Sequence, residues 1–280
     1  MVTGHRHLAG RVAAITGGSG ILGRAMGQTL AAVGVKVAIL SRTRDRGEEA
    51  VQTLAGMGAE AYYVPCDTLD AASVQAAREA VFTRWGRCDI LINAAGGNHP
   101  QATTADEAWV PESNVHPTFF DLTPEGFRAI VDANLLGAVI ASQAFAVRMA
   151  GQDPPGVIVN LSSMSAPRPM TRVPAYSAAK AGLENFTKWL AVYLAHTGIR
   201  VNALAPGFFL TAQNRALLLN ADGQWTPRAQ RILDHTPMGR LGQPEDLAGT
   251  LLWLVDEAYS GFVTGVTIPV DGGFLAYAGV

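Results

Sequence analysis

The chain has 280 residues, 49% hydrophobic and 16% charged, which allows a substantial buried core and excludes a disordered or fibrous protein. A formal charge of −2 and a pI near 6.3 give no basic field, and the arginines are scattered along the sequence, so nucleic acid and anionic membrane surfaces are not expected partners. Cys66 and Cys88 follow no metal-ligand spacing and adjoin apolar segments; they read as reduced core residues, and no metal site is expected.

The first eight residues carry His5, Arg6 and His7 and lack the apolar stretch of a signal peptide. No uninterrupted apolar run reaches the ~18 residues needed to span a bilayer, so a soluble cytoplasmic protein is the expectation. Residues 12–16 form a short apolar run ending in glycines, and residues 21–33 follow with helical spacing: strand, turn, helix. Further apolar strands are predicted over 35–40, 61–64, 90–92, 157–161, 201–204 and 266–270. Helical stretches are predicted over 44–57, 71–85, 124–149 and 175–196. This alternation predicts an α/β fold, a doubly wound Rossmann-type parallel sheet of about seven strands with helices on both faces. No composition break or repeat divides it, so residues 1–280 read as one domain. Two segments, 97–121 and 207–227, exceed ordinary connection lengths. Each follows a strand, and so belongs at the carboxyl edge of the sheet, where ligands bind.

Thr16-Gly17-Gly18-Ser19-Gly20-Ile21-Leu22-Gly23 closes the first strand and opens the first helix. Glycines let the backbone turn sharply and approach a pyrophosphate, while free N–H groups at the helix start attract its charge. Gly17, Ser19, Gly20, Ile21 and Leu22 are therefore candidate dinucleotide contacts. The second strand ends Ile39-Leu40-Ser41-Arg42, with no acid to hold a free ribose 2′-hydroxyl and an arginine in its place. Ser41 and Arg42 thus favour NADP(H), with NAD(H) as the alternative; Arg24, Arg44 and Arg46 compete with Arg42 for this role.

Lys180, one of three lysines, stands four residues after Tyr176, so on a helix the two share a face. A unit positive charge about 4 Å from a phenolate, at an effective dielectric near 20, favours ionisation by roughly 4 kcal/mol, or about three pKa units. Such a pair turns a phenol into a general acid and base near neutral pH. A Tyr-x-x-x-Lys match arises by chance in about 6% of chains of this composition, so the pair needs corroboration.

That corroboration is a resemblance to the short-chain dehydrogenases/reductases, from Ala9 to the C-terminus. It is carried by the glycine turn, Asp67 after the third strand, Asn93-Ala94-Ala95-Gly96 after the fourth and Asn134 in a helix. Ser163, Tyr176 and Lys180 follow, then Pro206-Gly207 with Thr211, and Val270-Asp271-Gly272-Gly273. The glycine spacing departs from the common form: Gly17-x-x-Gly20-x-x-Gly23, with Ile21 at the place of a usual glycine. The resemblance implies that Tyr176 exchanges the proton, Lys180 depresses its pKa and holds the nicotinamide ribose, and Ser163 bonds the substrate oxygen. It implies that Asn134 completes a proton path through water to Lys180. Asp67 would lie near the adenine, Asn93, Ala94 and Gly96 would frame the cofactor floor, and Pro206, Gly207 and Thr211 would meet the nicotinamide. Ser162, one residue out on an alternating strand end, should face elsewhere. For Asp67 a helix N-cap is the competing structural role.

Two runs, 96–104 and 207–218, are similar to those of a narrower branch, the D-mannonate oxidoreductases or D-fructuronate reductases. Asn98, His99, Gln213 and Asn214 would offer hydroxyl-binding groups, with Arg215, Arg168 or Arg172 as partner for a carboxylate. The resemblance implies a small-molecule carbonyl or alcohol substrate and a homotetramer. Leu183, Phe186, Leu190 and Leu194 are assignable equally to a subunit contact or to the core.

Overall fold

The computed structural model describes residues 4–112, 114–211, 218–220 and 222–279. Seven parallel strands, β1 (Val12–Thr16), β2 (Lys36–Ser41), β3 (Ala61–Pro65), β4 (Ile90–Asn93), β5 (Val157–Leu161), β6 (Arg200–Pro206) and β7 (Thr267–Val270), form one sheet in the order β3-β2-β1-β4-β5-β6-β7. Every residue of β1, β4, β5 and β6 is buried, because helices cover both faces and leave no solvated side. The order reverses between β1 and β4, and that switch point opens a crevice at the carboxyl ends of the strands.

The helices are α1 (Ile21–Ala31), α2 (Arg44–Gly56), α3 (Ala71–Trp85), α4 (Pro124–Val131), α5 (Gly137–Met149), α6 (Pro174–Leu194), α7 (Pro227–Asp234), α8 (Ala248–Val255) and α9 (Glu257–Ser260). The pleat of β1 sorts its side chains between two cores. Val12 and Ala14 face Phe145, Met149 and Leu190, while Ala13 and Ile15 face Met26, Leu30 and Leu251. Fully burying a Leu, Ile or Phe contributes about 1.5–3 kcal/mol, and a one-residue slip would exchange the two sets, so the register is strongly fixed.

The predicted helical stretch 124–149 is helical throughout but not uniformly α. A π turn, Asp132–Leu136, separates α4 from α5. By length and mean hydropathy Pro124–Met149 could cross a membrane. Its Ala141, Phe145 and Met149 are instead fully buried with α3 side chains Val81 and Phe82, as in the core helix of a globular protein. Along α6 the structure separates roles that the sequence left joined. Leu183, Leu190 and Leu194 are buried and Phe186 half-buried, whereas Trp189, Val192 and Tyr193 form an exposed stripe with Trp189 and Tyr193 stacked at 4.9 Å.

Candidate active site

The turn after β1 is closed by contacts that only glycine permits. Gly17 has φ +64, and a Cβ there would sit 2.7 Å from the Ala95 Cα; at Gly23 it would sit 2.4 Å from the Gly17 carbonyl oxygen. Thr16 ties this turn to the end of β4, its Oγ1 accepting from the Ala94 and Ala95 N–H groups at 3.2 and 3.3 Å. Gly20 is the N-cap of α1 and supplies no side-chain cap, so the first N–H groups of the helix, including those of Ile21 and Leu22, need partners from outside it. The Leu22 side chain packs partly into the core.

Beside this turn lies a cavity of about 390 Å³, within the range of cofactor sites. Its walls are the segments leaving β1 (Gly17, Ser19, Gly20), β2 (Ser41 to Thr43, Arg46), β3 (Cys66 to Leu69) and β4 (Ala94 to Gly96), with Ala133. Backbone walls, a helix start and two cations at the rim suit an anionic dinucleotide. The four competing arginines separate clearly. Arg24 pairs with Glu49 at 2.8 Å, and Arg44 pairs with Glu48 while lying over the Tyr63 ring. Arg42 and Arg46 line the cavity. Asp67 also lines it, because Asp70 takes the N-cap of α3 by accepting from the Ala72 N–H at 2.9 Å.

Asn93 corrects the reading of the floor. It is buried on the far side of the pleat, its Nδ2 donating to Ser142 Oγ at 3.0 Å and to Asn160 Oδ1 at 2.8 Å, while the residues that follow it, Ala94 to Gly96, reach the cavity wall. A polar chain continues from Asn160 to Thr187 and on to the Leu183 carbonyl, pinning α6 to the sheet.

Ser163 lies just past β5 and Tyr176 in the first turn of α6. The Ser163 Oγ accepts from the Ser165 N–H and hydroxyl at 3.1 and 3.0 Å, leaving its own proton for the Tyr176 hydroxyl, its side-chain hydrogen-bonding neighbour. Ser162, as expected, turns away to Glu184, donating at 2.8 Å. Lys180 is buried, its Nζ 5.6 Å from the Tyr176 ring centroid and donating to the Leu161 carbonyl at 2.6 Å.

The expected depression of the phenol is not found in this arrangement. Burial pushes Tyr176 above its ordinary value, with the Ser163 hydrogen bond opposing it. Burial also pushes the Lys180 ammonium down to about 8. The shared helix face is real, but the ammonium is spent on a carbonyl.

Asn134 sits in the π turn with its side chain fully engaged. Oδ1 accepts from the Gly97 N–H at 3.0 Å, and Nδ2 donates to the Gly97 and Ile130 carbonyls at 2.7 and 2.9 Å. These side-chain bonds clamp the loop after β4. Gly96 has φ +143, and a Cβ there would lie 2.4 Å from Asn134 Oδ1.

Pro206 ends β6, Gly207 just past it donates to the Val270 carbonyl at 2.9 Å, and half-buried Thr211 follows. Asn98 and His99 are exposed and serve their own loop: Asn98 donates to Thr103, and the His99 ring accepts from the Gln101 N–H. Arg168 donates to the Tyr277 carbonyl and Arg172 to that of Thr104. Gln213, Asn214 and Arg215 lie outside the described residues. Sequence reasoning missed Arg228 of α7, half-buried near Arg172 and Arg231. Its only local signal was the Thr226-Pro227 helix start beside it.

Residues 17–275 match the family described as Enoyl-(Acyl carrier protein) reductase. The chain is 54% identical over 280 residues to the uncharacterized oxidoreductase UxuB of Bacillus subtilis, covering all of both chains. It is 31% identical to a 3-oxoacyl-[acyl-carrier-protein] reductase of Synechocystis, over 96% of this chain and 99% of that one. A crystal structure of a proposed D-mannonate oxidoreductase from Haemophilus influenzae, with bound NAD, superposes with a TM-score of 0.93 at 43% identity, over 98% of each chain.

Proposed function

Given that the chain belongs to the short-chain dehydrogenase/reductase family of oxidoreductases, we propose that it carries out NADP(H)-dependent, reversible interconversion of a ketone and a secondary alcohol. D-fructuronate and D-mannonate, or a closely related sugar acid, are the proposed substrate pair. The observation that carries the reading is Ser163 beside the Tyr176 hydroxyl, with Lys180 under the same ring and a glycine-walled cavity at the neighbouring strand ends. The nicotinamide, when bound, supplies or accepts the hydride.

The chain's own groups handle the oxygen and its proton. Tyr176 donates its phenolic proton to the carbonyl oxygen in reduction and takes it back in oxidation; the Ser163 hydroxyl donates a hydrogen bond to the same oxygen. Lys180, with its ammonium at about 8, keeps a proton at Nζ at neutral pH and lies behind the phenol. Asn134 is a positioning residue, holding Gly97 and so the shape of the β4 loop. Gly17, Ser19, Gly20, Asp67, Ala94 and Gly96 would hold the dinucleotide, with Pro206, Gly207 and Thr211 on the nicotinamide side.

Two cations and no carboxylate at the tip of β2 support NADP(H): Arg42 and Arg46 line the rim where a 2′-phosphate would be met. The NAD bound in the Haemophilus relative makes NAD(H) the second cofactor to measure. The sugar-acid substrate rests on the relative's proposed activity and on the amide and arginine content of the two long loops. The exposed Trp189, Val192 and Tyr193 stripe supports a homotetramer, which light scattering measures.

Steady-state reduction of D-fructuronate with NADPH and with NADH tests the proposal. A marked preference for 3-oxoacyl, steroid or polyol carbonyls lacking a carboxylate would refute the substrate. NADPH binding without turnover of any carbonyl would point to a nucleotide sensor.

A further inference from the structure

A second cavity, of about 290 Å³, lies between the strap that joins Ser163 to Tyr176, the helix α7 and Phe208, which follows Gly207. In a chain of net charge −2, it gathers Arg168, Arg228 and Arg231 on its walls, with Arg172 next along the strap. The lining holds one carboxylate, Glu107, and Arg231 occupies it with contacts of 2.8 and 3.3 Å. Arg168 donates to the Tyr277 carbonyl. Arg172 is locked in place: its Nε donates to the Thr104 carbonyl at 2.9 Å, its own carbonyl accepts from the Thr104 N–H at 2.9 Å, and its backbone is held at φ +73. That left-handed conformation is disfavoured for a side chain of this kind and marks a position over-determined by its surroundings.

Arg228 is half-buried, and it makes no hydrogen bond or ion pair with a described residue. Burial pushes its guanidinium below the ordinary value, Arg172 and Arg231 push the same way, and Glu107 alone opposes them. A partly desolvated cation among like charges is costly unless an anion completes the site. A planar guanidinium fork matches a carboxylate bidentately.

We propose that Arg228, assisted by Arg172, anchors the carboxylate of an acidic substrate in this cavity and so selects acids over neutral carbonyls. The inference rests on the reading that the substrate is an acid, and it identifies the group that recognises it. Arg228 faces the strap across the cavity, and the strap's wall residues, Arg168 to Thr171, lie on the segment that carries Ser163 and Tyr176 at its two ends.

The test is the ratio of kcat/KM for D-fructuronate to that for D-fructose, which has a hydroxymethyl group in place of the carboxylate, measured with NADPH on wild type, Arg228→Gln and Arg228→Lys. The ratio should fall about 100-fold in Arg228→Gln, as expected for loss of a charge-assisted pair, and recover in part in Arg228→Lys. NADPH binding, followed by fluorescence on the same preparations, reports that the variants are folded. A ratio within twofold of wild type in folded Arg228→Gln overturns the anchor and leaves the fructuronate reading standing. If wild type instead prefers another acidic carbonyl, the same ratio against its neutral counterpart tests the anchor while fructuronate alone is lost. If wild type favours neutral carbonyls throughout, and calorimetry finds no D-mannonate binding to the NADP-loaded enzyme, both are overturned.

Discussion

Replacing Lys180 by Met should make stability less dependent on pH in the alkaline range, by an amount the structure sets. The ammonium is 4% exposed and donates to the Leu161 carbonyl, and burial moves it from 10.5 down to about 8. That drop, about 2.5 pKa units at 1.36 kcal/mol each, opposes folding by about 3 kcal/mol at pH 7. The folded value lies below the unfolded one, so between about pH 8 and 10.5 the unfolded chain binds more protons and stability rises with pH. Integrated to pH 9.5, the opposing contribution shrinks to about 1 kcal/mol. Wild type should therefore gain about 2 kcal/mol relative to Lys180→Met between pH 7 and pH 9.5, while pH-independent effects such as the Leu161 carbonyl left unpaired cancel. Urea unfolding of both cofactor-free proteins, at one protein concentration and at pH 7, 8.5 and 9.5, measures this difference. A difference that stays flat or falls with pH would refute a buried, unpaired ammonium.

Tyr176→Phe should lower kcat by about 10²–10⁴-fold in steady-state assays while NADPH binding, followed by fluorescence, is retained; residual turnover near wild type would remove the phenol from the chemistry. Gly96→Ala puts a Cβ 2.4 Å from Asn134 Oδ1 at a backbone φ of +143. It should cost about 1–3 kcal/mol in thermal unfolding and weaken NADPH binding, and an unchanged protein would dismiss the Asn134 clamp. Arg42→Asp should move the ratio of NADPH to NADH efficiency about 100-fold toward NADH, and an unmoved ratio would leave Arg46 or the backbone as the selector.

The strands were legible to within about two residues because a sheet covered on both faces writes itself as continuous apolar runs. The cofactor turn was legible because its glycines are demanded locally, by φ at Gly17 and by backbone contact at Gly23. Helices α7, α8 and α9 went unassigned although their starts were signalled: Thr226 caps α7 by accepting from the Ala229 N–H, and Asp256 caps α9 through Ala258. Asn93 was misassigned because a motif gives position along the chain, whereas the pleat decides which face a side chain takes. The Tyr176–Lys180 spacing gave a shared face and not the direction of the ammonium, which depends on a carbonyl nineteen residues back along the chain. Arg228 was beyond local reading, since its company comes from Glu107 and Arg172, brought together only by folding.

The π turn at Asp132–Leu136 carries one residue more than an α turn would, and this has a consequence for how the chain can change. The wide turn absorbs that residue, so deleting it would restore uniform α winding without turning Phe145 and Met149 of α5 from the interior. What would go is the bulge that carries Asn134, and with it the hold on Gly97. The cleft can thus lose its shape while the helices on either side of the π turn keep their packing.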